Sequence, residues 1–80
     1  MKMIKDRIEK IIHDEGINSS KFADEIGVQR SSISHTMSGR NKPSLDLILK
    51  ILNRYRFINS DWLLSGRGEP YKTTNNPQKN

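Results

Sequence analysis

Three short stretches of this sequence carry side chains that could do chemistry, and two of them fail on spacing. His13-Asp14-Glu15 sets an imidazole beside two carboxylates, the raw material of a metal site or an acid–base pair. Adjacent residues on a helix do not face each other, however, and His35 is the only other histidine in a chain without cysteine. Ser34-His35 fails as nucleophile and base for the same reason. The third stretch is different. Gln29, Arg30, Ser31, Ser34 and His35 offer amide, guanidinium, hydroxyl and imidazole groups that a helix beginning near Arg30 turns outward. No Asp or Glu occurs from Ile26 through Leu45, whereas Arg30, His35, Arg40 and Lys42 all fall there. Hydrogen-bonding side chains in an acid-free, basic stretch suit a groove lined by phosphates and base edges.

The elements that must position these groups read as helices. Ile4, Ile8, Ile11 and Ile12 recur at i, i+4, i+7 and i+8, which predicts a first helix ending at Gly16. Asn18 or Ser19 can cap a second helix, Ser20 to Ile26, burying Phe22, Ala23 and Ile26, and Gly27 supplies a tight turn. Val28 precedes a third helix, about Arg30 to Ser38, with Ile33 and Met37 inward and Gly39 at its end. Ser32 is expected to face inward or to bond its own backbone. After the loop Arg40-Asn41-Lys42-Pro43, Ser44 caps a fourth helix whose stripe is Leu45, Ile48, Ile51/Leu52 and Tyr55. Asn59 or Ser60 caps a short fifth helix, Asp61 to Leu64, before Gly66. No period-2 alternation is sustained, so the fold class is all-α, a compact bundle of five helices.

Composition bounds the rest. Eighty residues make one domain, too small for an enzyme with separate cofactor and substrate lobes. Every Ile, Leu, Val and Phe lies between Ile4 and Leu64, which divides the chain into a folded part, 1–66, and a polar tail, 67–80, mobile except where Tyr71 anchors its start. The tail is equally the kind of segment at which a longer chain is cut. The net charge of +5 permits an anionic partner. The absence of cysteine fits a reducing cytoplasm, and no apolar run is long enough for a signal peptide or a membrane span.

The segment Ser19-Ser20-Lys21-Phe22-Ala23-Asp24-Glu25-Ile26-Gly27-Val28-Gln29-Arg30-Ser31-Ser32-Ile33-Ser34-His35-Thr36-Met37-Ser38-Gly39-Arg40 resembles the helix-turn-helix of the phage repressor and Cro type, the XRE family. Lys42-Pro43-Ser44-Leu45 and Ser60-Asp61-Trp62-Leu63-Leu64-Ser65-Gly66 are similar to that family's fourth and fifth helices, so the likeness covers about residues 3–66. The resemblance implies a λ-repressor-like domain that binds double-stranded DNA as a transcriptional regulator. It places Gln29, Arg30, Ser31 and His35 at base edges in the major groove, with Ser34 beside them. Phosphate contacts then fall to Asn18, Ser19 and Ser20 at the start of the second helix. Ser38, Arg40, Asn41 and Lys42 grip the backbone after the third. Gln29 stands where the family usually has Ser or Thr as helix cap, and glutamine is a poor cap.

A single module buries roughly 600–1,000 Å² on DNA, so specificity normally takes two copies on a near-palindrome. Leu47, Leu49, Phe57, Ile58, Trp62 and Leu64 are the apolar side chains available for a homodimer, unless the first and fifth helices cover them. The resulting expectation is a sequence-specific DNA-binding regulator, a repressor acting by occlusion, needing neither cofactor nor metal. The alternative is a protein-interaction module, such as an antitoxin, in which DNA binding is secondary.

Overall fold

The computed structural model describes residues 3–39 and 42–72. Among them the chain forms α1 (Ile4–Glu15), α2 (Ser19–Ile26), α3 (Arg30–Met37), α4 (Leu45–Arg54) and α5 (Ser60–Ser65), the all-α class and helix order read from the sequence. Local chemistry fixes most of the ends. Asn18 Oδ1 accepts the Lys21 N–H at 2.8 Å, and Ser44 Oγ accepts that of Leu47 at 3.2 Å. Asn59 Oδ1 accepts that of Asp61 at 3.1 Å. These side chains satisfy amides that the first helical turn leaves without partners. Between α2 and α3, Gly27 adopts φ 77°, and the Val28 N–H returns to the Ala23 carbonyl at 3.0 Å. A β-carbon is disfavoured at that left-handed corner, so glycine permits a three-residue turn and a steep crossing of the two helices.

One core holds the helices together. It comprises Ile8, Ile11 and Ile12 of α1, Phe22, Ala23 and Ile26 of α2, Ile33 of α3, Leu47, Ile48 and Ile51 of α4, then Tyr55, Ile58, Trp62 and Leu63. The rings of Phe22 and Tyr55 stack at 5.7 Å and 8°. Glu25 of α2 is bonded by Arg54 of α4 through Nε at 2.9 Å and through Nη2, and by Lys21 at 3.2 Å. These bonds hold the Glu25 carboxyl below the usual carboxylate range, Arg54 contributing most. Packing and ion pairs together fix the helix-turn-helix against α4.

Several side chains depart from the sequence reading. Leu45, expected in the α4 stripe, is 67% exposed, and Leu47 is buried in its place. The buried face of α4 is therefore Leu47, Ile48, Ile51 and Tyr55, rotated by half a turn at its start. In α3, Thr36 is buried and Met37 only half-buried. The Thr36 hydroxyl donates to the Ser32 carbonyl at 3.0 Å, which satisfies it inside the core, while the Ser32 side chain faces solvent. Arg7 has no counterpart among the sequence expectations. It is 7% exposed, and donates from Nε to the Leu63 carbonyl at 2.9 Å and from Nη2 to the Leu64 carbonyl at 3.4 Å. A cation thus meets the negative end of α5.

The segment from Arg67 to Lys72, assigned to the tail, packs on the domain. Asn59 N–H donates to the Pro70 carbonyl at 2.9 Å and Lys72 N–H to that of Phe57 at 2.7 Å, around an isolated bridge between Ile58 and Tyr71. Tyr71 lies with its ring 5.6 Å from that of Phe57 and its hydroxyl donating to Asp14 Oδ2 at 2.5 Å. The anchor works because Tyr71 supplies apolar area and one hydrogen bond together. Residues 73–80 of the expected tail lie outside the described residues.

Candidate nucleic-acid interface

The candidate surface begins with the handedness of α3. Burying Ile33 and Thr36 on one side leaves Ser31, Ser34, His35 and Ser38 on another, at i, i+3, i+4 and i+7. Gln29, at the N-cap, and Arg30, at the first helical position, are exposed as well. All five residues expected at base edges are therefore solvent-facing on one short helix that carries no carboxylate. Gln29 makes no side-chain cap, as expected of glutamine, so its amide remains available to a ligand.

The flanking groups divide in two. At the start of α2, Asn18 and Ser19 are exposed and Ser20 is half-buried. Asn18 spends its oxygen on the cap, leaving its NH₂ as the donor. After α3, the Ser38 hydroxyl donates to the His35 carbonyl at 2.8 Å, and Lys42 is exposed. Arg40 and Asn41 lie outside the described residues. A cleft of about 240 Å³ between α3 and the start of α4 brings His35, Lys42 and Ser44 together.

Tertiary structure adds two residues that no local pattern marks. Lys5 of α1 lies against the end of α3: a β-carbon on Gly39 would meet Lys5 Cε at 3.8 Å and Cδ at 3.9 Å. Lys5 and Lys42 line one groove of about 220 Å³ with Met3, Ile4 and Thr36. The second addition is Asp24. Its carboxylate takes Arg30 Nε at 3.3 Å and Nη2 at 2.8 Å, and this bonding lowers the Asp24 pKa. A stretch free of acid in sequence is thus not free of acid in space.

The architecture and this surface can be compared with known families. A family model described as helix-turn-helix matches residues 8–63, most of the chain and the whole of α2, the turn and α3. The chain belongs to the XRE-type helix-turn-helix family. It is accordingly a DNA-binding transcription regulator of XRE type, and the family is a regulatory one rather than an enzyme family. No curated protein and no solved structure matches the chain significantly. Among the described residues no helix is long and apolar enough to cross a membrane, and no group of three or more His, Cys, Asp or Glu could hold a metal ion.

The side chains named for self-association separate by burial. Leu47 at 6%, Ile58 at 1% and Trp62 at 8% exposure are consumed by the protomer's own core and are not available to a second copy. Phe57 and Leu64 are exposed, as are Leu45 and Leu49. Leu45, Leu49 and the half-buried Leu52 stand at i, i+4 and i+7, one apolar stripe along the outer side of α4.

Proposed function

We propose that this XRE-type regulator reads a specific duplex sequence by laying α3 in the major groove, and that it represses by occluding a promoter. The observation that carries the reading is the outer face of α3: five exposed hydrogen-bonding side chains, Gln29, Arg30, Ser31, Ser34 and His35, on a helix with no acid. Arg30 reads guanine, whose O6 and N7 match a guanidinium fork, and His35 and the serines contact neighbouring edges. Asn18, Ser19 and Ser20 meet one backbone strand. Lys42, Ser38, Arg40 and Asn41 meet the other, joined by Lys5, which lines one groove with Lys42. Two copies associate through exposed apolar side chains, the α4 stripe of Leu45 and Leu49 foremost, and bind a near-palindrome in the cytoplasm.

Selection from a random double-stranded library at physiological salt, with Arg30→Ala in parallel, tests this. Enrichment of an inverted repeat with half-sites about ten base pairs apart supports a dimeric operator-binding regulator. Weak, salt-sensitive binding to every duplex alike would reduce the protein to its electrostatic footprint. The exposed α4 leucines are also what an antitoxin-type interaction module would present. A chain that stays monomeric on DNA by light scattering would favour that second reading.

A further inference from the structure

The contact between Asp24 and Arg30 has a definite geometry. A guanidinium carries five N–H donors: one on Nε and two on each Nη. Asp24 takes the Nε–H and one hydrogen of Nη2, the side-on edge. Both hydrogens of Nη1 and the second of Nη2 remain, and one from each Nη forms the end-on fork that fits O6 and N7 of guanine. Both side chains are more than half exposed, so the free fork is open to a ligand. The two residues sit on opposite sides of the turn, Asp24 in the last turn of α2 and Arg30 at the first position of α3. The bond therefore fixes the direction of Arg30 relative to the whole helix-turn-helix.

We infer that Asp24 is a specificity-determining positioning residue, which holds Arg30 side-on so that its end-on fork reads one guanine and not the neighbouring phosphates. The inference rests on the reading of Arg30 as a base contact. Two physical consequences follow. A guanidinium held on one edge has lost much of its rotamer freedom before DNA arrives, so less is lost on binding. Its orientation also matters for selectivity. An untethered arginine at a non-guanine pair swings to a phosphate and recovers a contact that is blind to sequence. Tethered to Asp24 it does so less readily, and an adenine at the same position offers N6–H₂, a donor facing a donor. The carboxylate itself adds negative charge near the backbone, which weakens binding wherever no guanine compensates.

The test is binding of wild type, Asp24→Asn, Arg30→Ala and Arg30→Lys to duplexes carrying the selected site, its single-pair variants and a random duplex, over a salt series. Asparagine keeps the size of the side chain but loses the charge and the second acceptor oxygen. Wild type should prefer guanine at one pair by about 5- to 150-fold; Arg30→Ala should abolish that preference, and Arg30→Lys, which lacks the planar fork, should reduce it. Asp24→Asn should lose at least about fivefold of it, tighten on the random duplex and steepen the salt slope by about 0.9 per bound protomer, with a melting temperature lowered by no more than the few degrees an exposed ion pair contributes. A uniformly structural role would instead move all duplexes together. If Asp24→Asn keeps or sharpens the guanine preference, Asp24 is a competitor or a bystander and the inference is wrong. If no pair loses its preference in the Arg30 variants, the assignment of Arg30 fails first and takes the role of Asp24 with it.

Discussion

Replacing Arg7 by methionine removes a contact that only the folded chain makes. Methionine keeps most of the apolar stem, so α1 still packs, but the guanidinium bonds are lost, those to α5 among them. The bond from Nε to the Leu63 carbonyl, at 2.9 Å, is of ordinary length, whereas that from Nη2 to Leu64, at 3.4 Å, is long. A hydrogen bond to a charged group contributes about 1.5–3 kcal/mol, and a long one near the low end or below. Both carbonyls belong to the last turn of α5, where no later helical amide can replace the donor. A net loss of roughly 2–3 kcal/mol follows, after allowing for the desolvation that methionine avoids. For a domain of this size that corresponds to a fall in Tm of roughly 10–20 °C. Thermal and urea unfolding followed by circular dichroism measure it, with exposed Arg56→Met as control, expected within about 0.5 kcal/mol of wild type. A melting temperature for Arg7→Met within about 2 °C of wild type would refute the argument that this buried cation caps α5.

Lys5→Ala should weaken every duplex alike and lower the salt slope by about 0.9 per bound protomer, roughly eightfold in affinity at 0.1 M salt. An unchanged slope in filter binding would remove Lys5 from the interface. Acid should destabilise the domain through three carboxylates whose pKa values are lowered on folding: Asp14 by Tyr71 and then Lys10, Asp24 by Arg30, Glu25 by Arg54 and then Lys21. The unfolded chain binds more protons there, so this stability is present above about pH 4 and lost as pH falls through the lower native values. Tyr71→Phe removes the leading partner of Asp14 and should blunt that decline. Burial and the Asp14 bond raise the Tyr71 pKa, so its contribution is lost as pH rises beyond about 10, and the same variant should blunt the alkaline loss too. Melting curves across the pH range that superimpose for the two proteins would contradict both assignments.

What the sequence by itself determined is what near neighbours determine. The isoleucine stripe of α1, the Asn18, Ser44 and Asn59 caps and the glycines at the helix ends act over four residues or fewer, so helix order and the short corner at Gly27 were legible in the string. With them came the exposed face of α3, because burying Ile33 on a helix forces Ser31, Ser34 and His35 outward. Rotation of the helices about their own axes was not legible where apolar residues run all round. Leu45 and Leu47 are equally apolar, and only the packing of α4 into the shared core selects Leu47. That same packing takes Ile58 and Trp62 from any partner surface and leaves Leu49 out. Charge is the other quantity that folding rearranged. Asp24 stands beside Arg30, Lys5 reaches Gly39, Arg7 closes α5 and Tyr71 finds Asp14, each across a separation in sequence that carries no periodic signal. Local hydrogen bonding therefore decided which helices exist, and close packing decided which of their side chains are left exposed to a partner.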